Sequence, residues 1–343
     1  LINQLHHSLT LLTAALLLSA GCAKQPAQIK RLEWAPMGTI AAIQSTDLET
    51  AQKLRDIARS EFAGIETEFS SWNSTSTLAQ VNRSAGGAQA IPVSRSFIEI
   101  FRISEKMTRE SGGAFNPLIG PVCKIWGFNG TRPPAAIPAP AVLQNALTLA
   151  NINEVEITAD NSGPAVRLNR SGMELDFGAV AKGYAVDQVW QRAKERALTN
   201  ALIDLGGNLR ALGEARPGRG GWLTGVKDPF NDTRLIARIL LYDGEAVATS
   251  GNYERFVEIN GERCAHIIDG RTARPVQGMA GVTVVSPDAA TADALSTALF
   301  ILSIDDGKKL IKEHYPDSLA LWIPDSQPVR IITTEKMEQR LQR

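Results

Sequence analysis

The sequence predicts an α+β fold of mixed sheets with packed helices, and three observations carry that prediction. Two long stretches in the first third have apolar residues at helical spacing. The second half breaks into short β-type segments separated by glycines. Strand and helix patterns follow one another without regular βαβ alternation, which argues against a doubly wound parallel sheet.

The elements follow in chain order. Leu32, Trp34, Thr39, Ala41 and Ile43 suggest strands on either side of a break at Pro36-Met37-Gly38. Thr46 and Glu49 form a capping box for a helix whose apolar face is Leu48, Ala51, Leu54, Ala58, Phe62, Ile65 and Phe69. A second helix starts at a Ser94 cap, runs through Phe97, Ile98, Phe101 and Met107, and stops at Gly112-Gly113. Residues 129–140 are a proline-rich loop within one domain, because patterned apolar segments flank it on both sides. Strands are expected at 174–177, 201–205, 222–226, 246–248 and 282–285, with helices after Lys182 and after Thr291.

A chain of 343 residues with 44% hydrophobic and 21% charged composition has the makings of a sizeable core, which excludes disordered and fibrous classes. Lys and Arg together number 36, as do Asp and Glu, so the formal net charge is zero. No basic stripe marks nucleic acid as a partner, and any anion must be held by local geometry.

At the N-terminus, Leu9 to Leu18 is an apolar run too short to span a bilayer and reads as the core of a signal peptide. Ser19-Ala20-Gly21-Cys22 then resembles a bacterial lipobox, whose cysteine is lipidated. The expected organisation is a leader over 1–22, a polar tether over 23–30 and a catalytic domain over 31–343. The mature protein would sit in the periplasm, anchored through Cys22. A cleaved secretory signal with an incidental cysteine is the alternative. Cys123 and Cys264 make no framework and no metal-ligand spacing, so buried thiols are expected.

Three segments concentrate polar residues and glycines. In the first, Asp176 to Asp187, Asp176 ends an expected strand, Gly178 permits close backbone approach and Lys182 opens a helix. A cation and the positive end of a helix dipole facing one spot suit a pyrophosphate, as a solvated strand-to-helix turn would also allow. No Walker motif and no G-x-G-x-x-G opening a βαβ unit is present. In the second, Leu295, Ala298, Leu299 and Leu302 form one helical face while Asp293 and Thr297 project from another. A carboxylate and a hydroxyl side by side suit a hard cation such as Mg2+, although cap and solvent contacts give the same pattern. In the third, Ala248 to Arg255 leads to His266 to Pro275, and His266 stands at a strand end beside Asp269, Arg271 and Thr272. It is a candidate general base or a structural histidine in a turn.

Taken in order, the motifs resemble those of the FAD:protein FMN transferases, the ApbE family, formerly described as thiamine biosynthesis lipoproteins. The residues are Pro36-Met-Gly-Thr39, Phe69 to Asn73 with Ser76, Leu78 and Asn82, Gly113 to Pro117 with Gly120-Pro121 and Trp126 to Phe128, Asp176 to Asp187, Gly206-Gly-Asn208, Thr249-Ser-Gly251, His266 to Asp269, and Asp293 with Thr297. The resemblance implies a T-fold-related architecture. It implies FAD contacts at Met37, Trp72, Ala114, Phe115, Asn116, Asp176, Lys182 and Ile267. It places Mg2+ on the Ala179 carbonyl and the Asp293 and Thr297 side chains, with His266 assisting the attacking hydroxyl. Four positions depart from the family pattern: Asn116 replaces an aspartate, Leu118 a threonine, Gly270 a proline and Ala273 a glycine.

The expected activity is Mg2+-dependent transfer of FMN from FAD onto a Ser or Thr hydroxyl of a membrane-associated redox protein, releasing AMP. A Mg2+-dependent FAD pyrophosphatase and a non-catalytic flavin-binding lipoprotein are the alternatives.

Overall fold

The computed structural model describes residues 28–128, 132–161, 163–216, 218, 220–253 and 255–342. The expected leader, Cys22 and most of the tether lie outside the described residues, as do 129–131 of the proline-rich loop. An eight-stranded sheet forms the frame. In spatial order its strands are Lys30–Trp34, Ala41–Ser45, Ala201–Leu205, Asn208–Leu212, Ala246–Gly251, Met279–Ser286, Leu319–Pro324 and Ile332–Thr333. Every neighbouring pair is antiparallel. With the helices packed on it, this is the α+β fold that the residue patterns predict.

Strand alternation gives the sheet two covered faces. Ile43, Ile203, Ala248, Val282 and Val284 point to a large core shared with the helices Leu48–Phe69, Ala181–Glu195 and Ala289–Ile301. Leu202, Val247, Val285 and Leu321 point the other way, onto a three-stranded sheet of Trp222–Asp228, Asn231–Leu241 and Leu341–Gln342. Burial on both faces explains why Met279–Ser286 carries no charged residue and no apolar-polar alternation. A third cluster joins the helices Gly120–Trp126 and Pro140–Leu147 to the hairpin of Phe256–Ile259 and Glu262–Ala265. Cys123 and Cys264 are buried thiols within it.

Several sequence expectations need correction. The first helix is capped by Asp47, whose carboxylate accepts from the Thr50 N–H at 2.9 Å, and not by Thr46; Glu49 pairs instead with Lys53 at 2.7 Å, and Leu48 is exposed. Residues 174–177 form no strand. Their backbone is satisfied by other groups: both Leu175 polar groups bond the Asn82 side-chain amide, at 2.8 and 2.9 Å, and Asp176 N–H donates to the Pro117 carbonyl at 2.7 Å. Ser94 does cap the second helix, Arg95–Glu110, by accepting from Phe97 N–H.

The helix expected after Thr291 begins earlier, at Ala289, with Asp288 as its cap. It is also buried nearly all round, rather than on one face, because it lies between the sheet and the helices 95–110 and 181–195. The crossing with 181–195 is close at Gly183, where a Cβ would stand 2.1 Å from the Ala289 carbonyl oxygen. Asp187, on the next turn, accepts from the Ala289 and Ala290 N–H groups at 2.8 Å each and pairs with Arg210 at 2.6 Å. The two helices are thus locked together at the end nearest the site.

The crossing makes a prediction for Gly183→Ala. The added methyl must push backbone from backbone, so the variant should lose about 1–3 kcal/mol of stability. An unchanged urea midpoint would show that the two helices do not meet as described.

Candidate active site

The turns at one end of the sheet open into a cavity of about 1200 Å3. Met37, Trp72, Phe115, Asn116 and Ile267 line it, and so do Asp176, Ala179, Lys182, His266, Asp293 and Thr297. The structure therefore brings together every proposed side chain but one. Ala114 is fully buried behind the wall, and its contribution is a carbonyl that accepts from Gly270 N–H at 2.9 Å.

Asp293 and Thr297 lie one turn apart on the 289–301 helix. Asp293 is only 5% exposed. Its Oδ2 accepts from Gly183 N–H at 3.0 Å, and its Oδ1 lies 3.9 Å from Lys182 Nζ. Burial pushes its carboxyl above the ordinary range, and Lys182, the Gly183 N–H and the Asn208 amide oppose that shift. The Thr297 hydroxyl is 3.2 Å from the Ser250 hydroxyl, which is itself 2.8 Å from Ser296.

Gly183 is the third residue of its helix, where an N–H has no intrahelical partner. It turns to Asp293 instead, and among the described residues no backbone N–H donates to the Ala179 oxygen. Asn208 Oδ1, buried beside Asp293, likewise has no partner. A carboxylate, a hydroxyl and an unbonded carbonyl are the hard oxygen donors that Mg2+ prefers, so the residues present fit that ion. Among the described residues no cluster of three or more His, Cys, Asp or Glu side chains occurs.

His266 follows the strand Glu262–Ala265 directly. Its expected neighbour Asp269 is engaged elsewhere, bonded by the Arg271 guanidinium at 2.8 and 2.9 Å. The His266 partner is the Arg255 carbonyl, 3.1 Å from Nδ1. A carbonyl only accepts, so Nδ1 carries the proton and Nε2 keeps its lone pair. Burial pushes the imidazole down to about 4; the Arg255 carbonyl opposes this, while the charges of Arg255 and Lys182 add to it. Asp176 is held by Gly178 N–H at 2.7 Å; burial raises its carboxyl against that bond and the two cations. Arg255 lines the cavity as a second cation that the residue patterns did not single out.

Met37 has φ +51°, a left-handed conformation uncommon for a bulky side chain, in the turn closed by Thr39 N–H to the Pro36 carbonyl. Trp72 is 63% exposed at the mouth, on a loop whose Trp72 and Asn73 N–H groups bond the Ser70 hydroxyl. Asn116 accepts from Leu118 N–H at 2.9 Å and donates to the Ala150 carbonyl at 2.8 Å.

Against known proteins, residues 37–322 match the ApbE family. The chain belongs to that family. It is similar to an FAD:protein FMN transferase of Treponema pallidum (strain Nichols), 38% identical over 266 residues that cover 74% of this chain and 72% of the relative. One from Klebsiella pneumoniae (strain 342) is 32% identical over 76% of this chain and 79% of its own length. Among solved structures, the ApbE protein of Thermotoga maritima superposes with a TM-score of 0.80 at 28% identity, covering 92% of this chain and all of that one. The flavin transferase ApbE of Vibrio cholerae, at 22% identity and a TM-score of 0.78, shares the fold over 92% of this chain and all of its own.

Of the four positions that the sequence sets apart from the family pattern, three have local contacts that fit the residue present. An aspartate at Asn116 would lack the donor that reaches Ala150. A proline at Gly270 would lose the bond to Ala114, and any Cβ there would stand 2.5 Å from the Gly113 oxygen. Leu118 is fully buried in the main core. Nothing in the structure explains Ala273, which sits at φ +59°, the conformation that suits a glycine.

The His266 geometry is checked by nuclear magnetic resonance of the imidazole in the ligand-free protein. The ring should stay neutral, protonated on Nδ1, as pH falls through the usual histidine range, and titrate near about 4. A midpoint at or above the ordinary 6.5, or an Nε2-protonated tautomer, would contradict the assignment.

Proposed function

We propose that this ApbE protein moves the FMN half of FAD onto a Ser or Thr hydroxyl of a membrane-associated redox protein in a Mg2+-dependent reaction that releases AMP. The observation that carries the proposal is the pairing of a base and an anion site in one cavity: His266 with its Nδ1 committed to Arg255, and Lys182 beside Asp293. Lys182 and Arg255 supply positive charge for the FAD pyrophosphate, while Met37, Trp72, Phe115, Asn116 and Ile267 provide walls for the rest of the molecule. Mg2+, when bound, would add divalent charge against the phosphate oxygens.

His266 Nε2 takes the proton of the acceptor hydroxyl as its oxygen forms a bond to the FMN phosphorus. The bond between that phosphorus and the bridging oxygen breaks, and AMP leaves with the bridging oxygen. Positioning and charge stabilisation supply most of the rate in such transfers. Asp293, Thr297 and the Ala179 carbonyl are assigned to the metal, and Ser250 orients Thr297 through their shared hydroxyl contact.

A periplasmic, lipid-anchored location through Cys22 belongs to the same proposal. It is supported by the apolar run before Cys22 and by the need to face a membrane-associated acceptor. Among the described residues no helix is long and apolar enough to cross a membrane.

The test incubates the protein with FAD, Mg2+ and a Ser- or Thr-bearing redox protein and reads masses. One added FMN on an acceptor peptide, with AMP released, is expected. Asp293→Ala should cut AMP release by at least about 100-fold, since losing even an outer partner of a metal ligand costs about 10–100-fold. Free FMN with an unmodified acceptor would refute the transfer, and undiminished AMP release by the variant would refute the metal assignment.

A further inference from the structure

The same cavity runs beyond the proposed FAD contacts, under the second sheet. Its floor crosses one face of the eight-stranded sheet in register: Thr283 faces Thr249, Val247 faces Leu209, Leu209 faces Asp204, Leu202 faces Gln44, and Gln44 faces Arg31. The roof is Leu223 to Lys227 of the strand Trp222–Asp228, with Ile239 behind it. None of the residues proposed to hold FAD lies on this limb.

The roof strand is an edge. It pairs with Asn231–Leu241 on one side only, and among the described residues no hydrogen bond reaches the backbone of 223–227 from outside that hairpin. Leu223, Gly225 and Lys227 are exposed. On the floor, Lys30–Trp34 is also an edge strand, and its Arg31 and Glu33 line the groove. An unpaired strand edge is a template for an extended chain, which gains main-chain hydrogen bonds and places alternate side chains on opposite faces.

We propose that the outer edge of Trp222–Asp228 is where the acceptor docks: an extended polypeptide segment adds there as a further strand and delivers its Ser or Thr hydroxyl along the groove to His266. This rests on the transfer reading above. A protein substrate must bring a length of backbone to the cavity, and this limb offers it an unpaired edge continuous with the base. Recognition through main-chain bonds leaves specificity to alternate side chains, which meet the part-exposed Leu209 where the floor emerges from the core that holds Leu202 and Val247.

The test uses a short synthetic peptide of alternating apolar and small residues with one central Thr, added to the full protein with FAD and Mg2+. Amide hydrogen exchange should slow across 222–228 when the peptide binds. Leu223→Glu, at an exposed position, should raise the KM for the peptide by at least about tenfold and leave the affinity for FAD within about twofold. Peptide binding without protection of that strand, no peptide binding at all, or protection by FAD alone would overturn the docking edge. A protected strand with no flavin on the Thr would instead overturn the transfer reading and leave the edge standing.

Discussion

The site depends on one buried carboxylate. Asp293 is withdrawn from water at the crossing of two helices, where an isolated charge costs several kcal/mol. Three groups offset that cost: the Gly183 N–H in the first turn of the 181–195 helix, the Lys182 ammonium one residue earlier and the Asn208 amide. Each belongs to a segment that must be in place for the carboxylate to be tolerated. Gly183 can approach only because it lacks a Cβ, and Asp187 with Arg210 holds the neighbouring helix start at the right depth. The Ala179 carbonyl lies just ahead of this helix start and takes no backbone N–H among the described residues, so the buried charge and the open acceptor sit at the same helix end.

The sheet brings the other parts to this point. Its antiparallel order places the turn at Met37-Gly38, the turn at Gly206-Gly207 and the strand end at Gly251 along one rim. Gly206 and Gly207 both have positive φ, as a two-residue hairpin turn requires, and a Cβ on Gly206 would strike Thr39. Thr249 and Ser250, adjacent on one strand, split their roles: Thr249 bonds Thr283 on the second-sheet side, and Ser250 reaches Ser296 and Thr297 on the helix side. One strand therefore separates the proposed peptide groove from the helix that carries Asp293 and Thr297.

Much of this was legible in the residues, and what was not has physical causes. The helices at 48–69 and 95–110 have one solvated face, so periodicity reveals them; the 289–301 helix has almost none, so its true start and its burial are hidden. Residues 174–177 have strand-like composition, yet their partner is the Asn82 side chain, which no alternation pattern announces. Lys182, Asp293, Thr297 and His266 were identifiable by residue type and motif. The bond that sets the His266 tautomer was not, because a backbone carbonyl has no residue identity. Arg255, Ser250 and Asn208 sat within noticed segments, but their roles exist only through contacts between distant strands and helices. Ala114 was assigned with its neighbours but lies behind the wall, its carbonyl bonded by the Gly270 N–H.

The most direct measurement is a crystal grown with FAD and Mn2+ in place of Mg2+, with the metal located by anomalous scattering. The account predicts a single strong peak within bonding distance of the Asp293 carboxylate, the Thr297 hydroxyl and the Ala179 carbonyl oxygen. Bound FAD with the metal elsewhere, or with Asp293 still facing only Gly183 and Lys182, would contradict it.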